Sequence, residues 1–258
     1  MIRNLLYKKI IVAVCLLMAF GSFILISSFS LKEPAANTGT LKISFINAVN
    51  GKPVVLRDSL YSNYFNEQYS ISKLKYYISN IVLKVAGKEM NLGGYYLINA
   101  ASEENGFELM LPAGSYNNIQ FLLGVDSIRN CSGAQTDALD PMNDMFWTWN
   151  SGYVMFKLEG TSAASTADLN RIEHHIGGYK ANNNVATTIR LDLKNSIEIK
   201  PGSSSELIIE MNLDNYWHGN ADIKIAETAL CMAPGDLSKK LASNFKTLFS
   251  IKSIHNNP

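Results

Sequence analysis

Residues 140–160 read Asp-Pro-Met-Asn-Asp-Met-Phe-Trp-Thr-Trp-Asn-Ser-Gly-Tyr-Val-Met-Phe-Lys-Leu-Glu-Gly. This stretch holds two of the three tryptophans of the chain, Trp147 and Trp149. In an extended backbone, side chains at positions i and i+2 point to the same face, so we expect the two indoles to stand side by side. The stretch can serve as an apolar plug for a β core, since indoles bury much apolar area. It can also form the wall of a binding site, together with Tyr153 and the methionines Met142, Met145 and Met155.

On both sides of this stretch, short runs rich in β-branched and aromatic residues recur between turn residues such as Asn-Gly, Pro and Gly. They lie at 41–46, 54–56, 72–85, 95–98, 107–111, 118–125, 185–193, 196–199 and 206–213. Apolar residues at helical spacing predict a helix at 235–249, with Asp236 or Ser238 as its cap, and another at 66–73. The pattern predicts an all-β fold, a single β-sandwich-like domain of short antiparallel strands with one C-terminal helix.

Length and composition suit such a domain. A chain of 258 residues that is 47% hydrophobic can build one large all-β core. The net charge is +1 and no basic stripe is present, so we expect no nucleic-acid partner. The sequence contains no Gly-x-Ser-x-Gly, no His-Glu-x-x-His and no phosphate-binding glycine loop, so we expect that the protein is not an enzyme.

The N-terminus has the pattern of a targeting segment. Arg3, Lys8 and Lys9 precede twenty residues, 10–29, that carry no charge. As a helix this run is about 30 Å long, which matches the hydrocarbon core of a bilayer. We predict a signal or membrane helix in residues 1–30, a linker at 31–39 and the folded domain at 40–258. The run is long for a cleaved signal, which favours an anchor, and the folded domain is then exported to the bacterial periplasm or outer envelope.

Two cysteines, Cys131 and Cys231, remain in the part predicted to be exported. Exported domains commonly oxidise such pairs, so we predict a disulfide that closes a loop of about one hundred residues. The alternative is a pair of thiolate ligands for a metal, but the two cysteines are far apart and no Cys-x-x-Cys occurs.

Histidine is rare, with four residues in the whole chain. His174 and His175 are adjacent, and adjacent side chains on a strand point to opposite faces, so at most one is expected to face a given site. The simplest interpretation is that one ring is buried and hydrogen-bonded in the core and the other faces solvent. Imidazole is also a common copper or zinc ligand, so His174, His175 and His218 are candidate ligands.

Four segments of the sequence resemble the MbnP-like family of exported copper-binding proteins, which are found beside di-haem peroxidase-like partners. The first is 74–83, Leu-Lys-Tyr-Tyr-Ile-Ser-Asn-Ile-Val-Leu. The second joins Gly124-Val-Asp-Ser to Ala138-Leu-Asp-Pro-Met-Asn-Asp-Met-Phe-Trp-Thr-Trp-Asn-Ser-Gly-Tyr and to Leu158-Glu-Gly. The third is His175-Ile-Gly-Gly, and the fourth joins Met232-Ala-Pro-Gly to Asn244-Phe-Lys-Thr-Leu-Phe and Ile254-His-Asn. The resemblance spans nearly all of the chain after residue 40.

The resemblance implies a β-sandwich-like domain that binds copper. It further implies that a tryptophan, Trp147 or Trp149, is oxidised to kynurenine by the haem partner, and that its new arylamine assists histidines as a copper ligand. His175 matches the family's motif, and His174 and His218 are further candidates. A histidine and a nearby methionine inside an indole-lined wall would favour Cu(I), because that soft ion accepts imidazole and thioether ligands at low coordination number.

Two other classes of function remain open at the level of sequence. One is an envelope glycan-binding sandwich in which Trp147, Trp149 and Trp217 form a stacking platform for sugars. The other is a structural envelope module without metal. The structural module is favoured if His174 and His175 are both exposed and remote from the tryptophans.

Overall fold

The computed structural model describes residues 37–133, 135–148 and 151–257. The predicted N-terminal helix at 1–30 lies outside the described residues, as does the linker up to residue 36. The compact folded unit begins at Thr38. Within the described ranges, no helix has both the length and the apolar character that a membrane span requires.

Strands dominate the described chain. The smaller sheet has the order β14-β12-β1-β2, with β6 also paired to β1. Its strands are β1 (Thr38–Val49), β2 (Lys52–Pro53), β6 (Gly106–Pro112), β12 (Ser204–Asn212) and β14 (Phe249–His255).

The larger sheet has the order β11-β7-β4-β9-β10-β13, where β3 and β5 also pair with β4 and β8 pairs with β9. Its long central strand, β4, pairs with β9 along its first half and with β7 along its second half. The strands of this sheet are β3 (Leu60–Ser62), β4 (Gln68–Val85), β5 (Lys88–Asn99), β7 (Gly114–Leu123), β8 (Phe146–Thr148), β9 (Gly152–Thr161), β10 (Arg171–Gly177), β11 (Thr187–Ile199) and β13 (Leu230–Cys231).

The two sheets pack face to face around an aromatic core. Phe45, on the inner face of β1, lies 6.2 Å from the rings of Tyr76 and Phe121 on the opposite sheet. Buried and partly exposed residues alternate along β1 as a half-buried strand requires. The predicted all-β sandwich is therefore confirmed.

Two features of the predicted sandwich need correction. The strands are not all short, since β4 runs for 18 residues. They are not all antiparallel either, because β1 pairs with β12 and β10 pairs with β13 in parallel. Each parallel pair joins strands far apart in sequence, so no local turn signal could reveal it.

The helices of the described chain are short: α1 (Ser127–Asn130), α2 (Asp214–Trp217), α3 (Ile225–Thr228) and α4 (Asp236–Ala242). The C-terminal helix predicted at 235–249 thus ends seven residues early. Asn244 is fully buried, and its side-chain amide donates to the carbonyls of Tyr216 and Ala221. These bonds to another segment compete with continued helix, and the chain passes through a 3-10 turn into β14. The helix predicted at 66–73 is also wrong, because that segment starts β4.

Candidate functional site

Residues 139–148, here called the tryptophan loop, cover the outer face of the larger sheet. The Asp140 carboxylate caps a short 3-10 turn by accepting a hydrogen bond from the Met142 backbone N–H at 2.8 Å. Asp144 then adopts a left-handed conformation, with φ of 62°, and turns the chain into β8. Strands β8 and β9 pair as a hairpin, with Phe146 opposite Tyr153.

A small apolar cluster lies beneath the tryptophan loop, separate from the main core. The Tyr153 hydroxyl donates to the Leu139 carbonyl at 2.7 Å, and the Tyr153 ring lies 4.9 Å from that of Phe146. The sheet side of the cluster is supplied by Tyr77, whose ring lies 5.7 Å from Tyr153. The buried members are Tyr77, Val125, Leu139, Met145, Tyr153 and Val154, with Trp147 packed against them.

Trp147 reaches across to β10 and lies directly on Gly177. A Cβ atom at Gly177 would stand only 2.7 Å from Cζ3 of the indole and 2.5 Å from the Tyr153 carbonyl oxygen. The indole Nε1 is buried and has no hydrogen-bond partner within the described chain. The structure therefore brings together two of the resembling segments, the tryptophan run and His175-Ile-Gly-Gly. Trp149 lies outside the described residues.

His175 lies on the same outer face, two residues before Gly177 on β10. It stands in register with Lys157 on β9, which is itself opposite Lys75 on β4. The imidazole is 12% exposed, and its Nε2 lies 2.9 Å from Oε1 of Glu159. Among the described residues, the other ring nitrogen, Nδ1, takes part in no hydrogen bond.

An ion-pair network surrounds this imidazole. Lys73 Nζ lies 2.8 Å from Asp144 Oδ2 and 3.1 Å from Glu159 Oε2. Lys157, only 3% exposed, places its ammonium 3.0 Å from the same Asp144 oxygen and also donates to the Asp144 carbonyl. The network therefore ties the tryptophan loop to the strands that carry His175.

The charges of the network are set by burial and by these contacts. Burial lowers the pKa of His175, and the hydrogen bond to Glu159 offsets this only in part. Burial raises the pKa of Glu159, but His175 and Lys73 outweigh it and hold that pKa below its usual value. Burial likewise raises the pKa of Asp144, yet Lys73 and Lys157 bring it down to about 2. At neutral pH the site therefore presents a neutral imidazole beside ionised carboxylates.

His174 points the opposite way, as predicted for adjacent residues on a strand. It is fully buried, and both ring nitrogens are occupied, Nδ1 by the Tyr216 hydroxyl and Nε2 by the Thr228 carbonyl, each at 2.6 Å. Burial lowers its pKa to about 4, so the ring is neutral. His174 is thus a satisfied core histidine with no nitrogen left for a metal.

The other predicted site residues lie elsewhere. His218 stacks on Tyr64 with ring centroids 3.7 Å apart, and its Nδ1 lies 2.7 Å from Asp222. Met142 is 89% exposed on the loop surface, Met145 is in the small cluster, and Met155 is in the main core. The structure therefore does not gather the three thioethers around His175.

Trp217 is fully buried, with its ring 5.0 Å from that of Tyr69. It cannot join Trp147 and Trp149 in a sugar-stacking platform, which removes one support of the glycan-binding interpretation. The condition for a purely structural module is also unmet, since neither His174 nor His175 is fully exposed and His175 lies on the side of β10 that Trp147 covers.

The predicted disulfide is wrong. Both Cys131 and Cys231 are free thiols. Cys131 is exposed at the end of α1, whereas Cys231 is buried on β13, in register with His174. The two sulfur atoms are not bonded because Cys131 lies at the surface and Cys231 lies on the edge strand beside β10.

Sequence reasoning missed the charged residues of the site. Glu159, Lys73 and Lys157 come from two strands, and Asp144 comes from the loop; only the register of β4, β9 and β10 brings them together. A signal was present in the alternation of charges within otherwise apolar strands, because a lysine or glutamate on a buried face needs a partner.

The donors around His175 can supply only part of a copper site. In the described ranges, no three His, Cys, Asp or Glu side chains are placed to hold a metal ion together. His175 supplies one imidazole, and the Trp147 indole meets the same strand at Gly177 through Cζ3 and Cη2. Within the described chain, its buried Nε1 has no hydrogen-bond partner. The residues present fit a low-coordinate soft ion with one further nitrogen donor, and do not fit a complete site of three protein ligands.

Comparisons with known proteins point to the MbnP family. The model of the MbnP family matches residues 38–233. Among solved structures, MbnP from Methylosinus trichosporium is similar to this chain with a TM-score of 0.47 and 13% sequence identity, over 72% of this chain and 80% of that one. No curated protein matches the sequence. The matched residues include strands of both sheets and every residue of the His175 network, and the chain belongs to the MbnP family.

Proposed function

We propose that this protein is an exported, non-enzymatic copper-binding protein in which His175 is the imidazole ligand. The observation that carries the proposal is the position of His175 on the face of β10 that Trp147 covers at Gly177. Its Nδ1 makes no hydrogen bond to any residue that the structure describes. Membership of the MbnP family supports it, because that family is associated with methanobactin gene cassettes and with copper. The N-terminal apolar segment supports export to the envelope.

A second nitrogen donor is needed, since a lone imidazole binds copper weakly. We propose that Trp147 supplies it after oxidation to kynurenine by a di-haem peroxidase-like partner that uses hydrogen peroxide. The indole C2–C3 bond breaks and each carbon gains an oxygen from peroxide, which is reduced to water. Hydrolysis then releases the C2 carbon as formate and leaves an arylamine. Within the described chain, no hydrogen bond occupies the buried indole Nε1, so no such bond competes with a ligand role for this nitrogen.

The test is a competitive Cu(I) titration of the full-length protein, before and after treatment with its haem partner and peroxide. We expect copper affinity to rise after treatment, with a mass change at Trp147 that corresponds to kynurenine. His175→Ala should lower affinity at least about tenfold. His255→Ala is the matched control, since His255 is exposed on β14 and, among the described residues, its ring hydrogen-bonds only to Ser253.

Two outcomes would remove the proposal. One is absence of copper uptake by the wild-type protein both before and after the treatment. The other is equal uptake by the wild-type protein and by His175→Ala, which would place any copper elsewhere on the chain.

A further inference from the structure

The Glu159 carboxylate lies between an imidazole and two ammonium groups. Its Oε1 is 2.9 Å from His175 Nε2, its Oε2 is 3.1 Å from Lys73 Nζ, and Lys157 Nζ is 4.0 Å from Oε1. Two cations within this distance favour the ionised form of the carboxyl group. An ionised carboxylate has no proton to give and only accepts hydrogen bonds.

The proton between Glu159 and His175 must therefore belong to the imidazole. Nε2 carries the hydrogen and donates it to Oε1, so in the neutral ring Nδ1 holds the lone pair. We infer that Glu159 is a positioning residue that fixes the Nε2–H tautomer of His175 and presents Nδ1 as the nitrogen available to a metal. The inference deepens the proposed function and rests on it for the identity of the ligand.

The same lysines extend this control to the tryptophan loop. Lys73 and Lys157 each contact Asp144 as well as Glu159, with Nζ–Oδ2 distances of 2.8 and 3.0 Å. Lys75, the next outward residue of β4, donates to the Asn143 carbonyl at 2.9 Å. The position of the loop and the orientation of the imidazole therefore depend on shared cations. A carboxylate behind a histidine is a known means of fixing ring orientation and basicity at metal centres.

A neighbouring carboxylate shows that the contact is specific to Glu159. Glu173 also lies on the outer face of β10, two residues from His175, but it pairs with Arg171 at 3.2 Å. In register, Glu159 stands opposite Glu173, yet its side chain reaches diagonally to His175. The arginine thus occupies one carboxylate and leaves the other for the imidazole.

The experiment is ¹⁵N–¹H correlation NMR of the imidazole nitrogens of the metal-free, full-length protein at a pH where the ring is neutral. We expect the wild-type His175 signals to show the Nε2–H tautomer. In Glu159→Gln the carboxamide can either accept or donate, so the excess of that tautomer should fall by roughly ten- to hundredfold. Glu210→Gln is the matched control, because Glu210 is a similarly shielded carboxylate paired with Lys252 on the other sheet.

A second variant keeps the test valid if Glu159→Gln does not fold. Lys73→Met removes one cation that holds Glu159 and leaves His175 and Glu159 in place, and it should shift the tautomer ratio in the same direction but less. A wild-type ring that is protonated at Nδ1, or a ratio that neither variant changes, would overturn the inference.

Copper titration of the same variants separates the two proposals. If Glu159 controls the tautomer, copper affinity should fall about ten- to hundredfold in Glu159→Gln. If the tautomer ratio changes in Glu159→Gln but neither the wild type nor the variants bind copper, the positioning role of Glu159 stands and the copper function is removed. If copper binds but the tautomer ratio is the same in the wild type and the variants, the copper function stands and the positioning role of Glu159 is removed.

Discussion

Gly177 and Trp147 occupy adjoining space: the ring of Trp147 fills the position toward which a Cβ of residue 177 would project, 2.7 Å from Cζ3. The close approach lets the tryptophan loop lie flat on β10, next to His175. It also explains why a glycine follows Ile176 in the His175-Ile-Gly-Gly motif, on a strand that otherwise favours larger residues.

Gly177→Ala is expected to displace the indole, because the second obstacle is the backbone carbonyl of Tyr153, which cannot rotate away. We expect the free energy of unfolding to fall by about 1–3 kcal/mol, with a change in tryptophan emission. Urea unfolding followed by fluorescence measures both. Gly114→Ala is the control, since its nearest obstacle is a side-chain methyl of Val85 at 3.1 Å. Equal effects of the two substitutions would contradict the close approach.

His174 predicts a dependence of stability on pH. Burial holds its pKa at about 4, whereas an unfolded histidine titrates near 6.5. Between these values the unfolded chain binds a proton that the folded chain excludes, so stability is full above pH 6.5 and is lost as the pH falls. We expect this residue to cost about 2 kcal/mol of unfolding free energy between pH 7 and pH 5.

The measurement is urea unfolding of metal-free protein at both pH values. His174→Phe should be less stable at pH 7, because the Tyr216 hydroxyl and Thr228 carbonyl lose their partner, but it should lack most of the acid-induced loss. His255→Phe, at an exposed position, should retain it. A His174→Phe protein that loses as much stability on acidification as the wild type would show that the proton binds elsewhere.

Lys157 and Lys224 form ion pairs in different surroundings. Lys157 is almost fully buried and holds both Asp144 and its carbonyl, whereas Lys224 pairs with Glu227 at the surface. Lys157→Met removes the donor to the Asp144 carbonyl and one of the two ammonium groups on the Asp144 carboxylate, which keeps Lys73. We therefore expect a loss of about 1–3 kcal/mol and faster hydrogen exchange in residues 139–148. Lys224→Met should change stability by less than about 0.5 kcal/mol. Similar losses in both variants would mean that the network does not fasten the loop.

The free thiols predict unequal reactivity. Cys131 is exposed, whereas Cys231 is buried and burial raises its pKa to about 11. We expect iodoacetamide to label Cys131 in the folded protein and Cys231 only in denaturant, because the thiolate is the reactive form. Peptide mapping by mass spectrometry identifies the labelled residue. If neither cysteine is labelled until a reductant is added, the result would instead support a disulfide between Cys131 and Cys231.

The sequence itself determined the class of fold and the positions of several strands, although the strand predicted at 54–56 is wrong. Alternation of apolar and polar residues is a local property, so the strands at 41–46, 72–85 and 206–213 were predicted within a few residues. The opposite directions of His174 and His175 follow from the same period of two. The motif at 140–160 marked the site because its aromatic residues are close in sequence.

Only the tertiary structure decided which residues share the site. The pairing of β4, β9 and β10 brings Lys73, Glu159 and His175 together from positions up to about one hundred residues apart, and no local pattern encodes that register. The same holds for the free cysteines and for Asn244, whose buried bonds end the last helix. Alternation of apolar and polar residues is a property of neighbours along the chain, whereas the site depends on the packing of segments against one another.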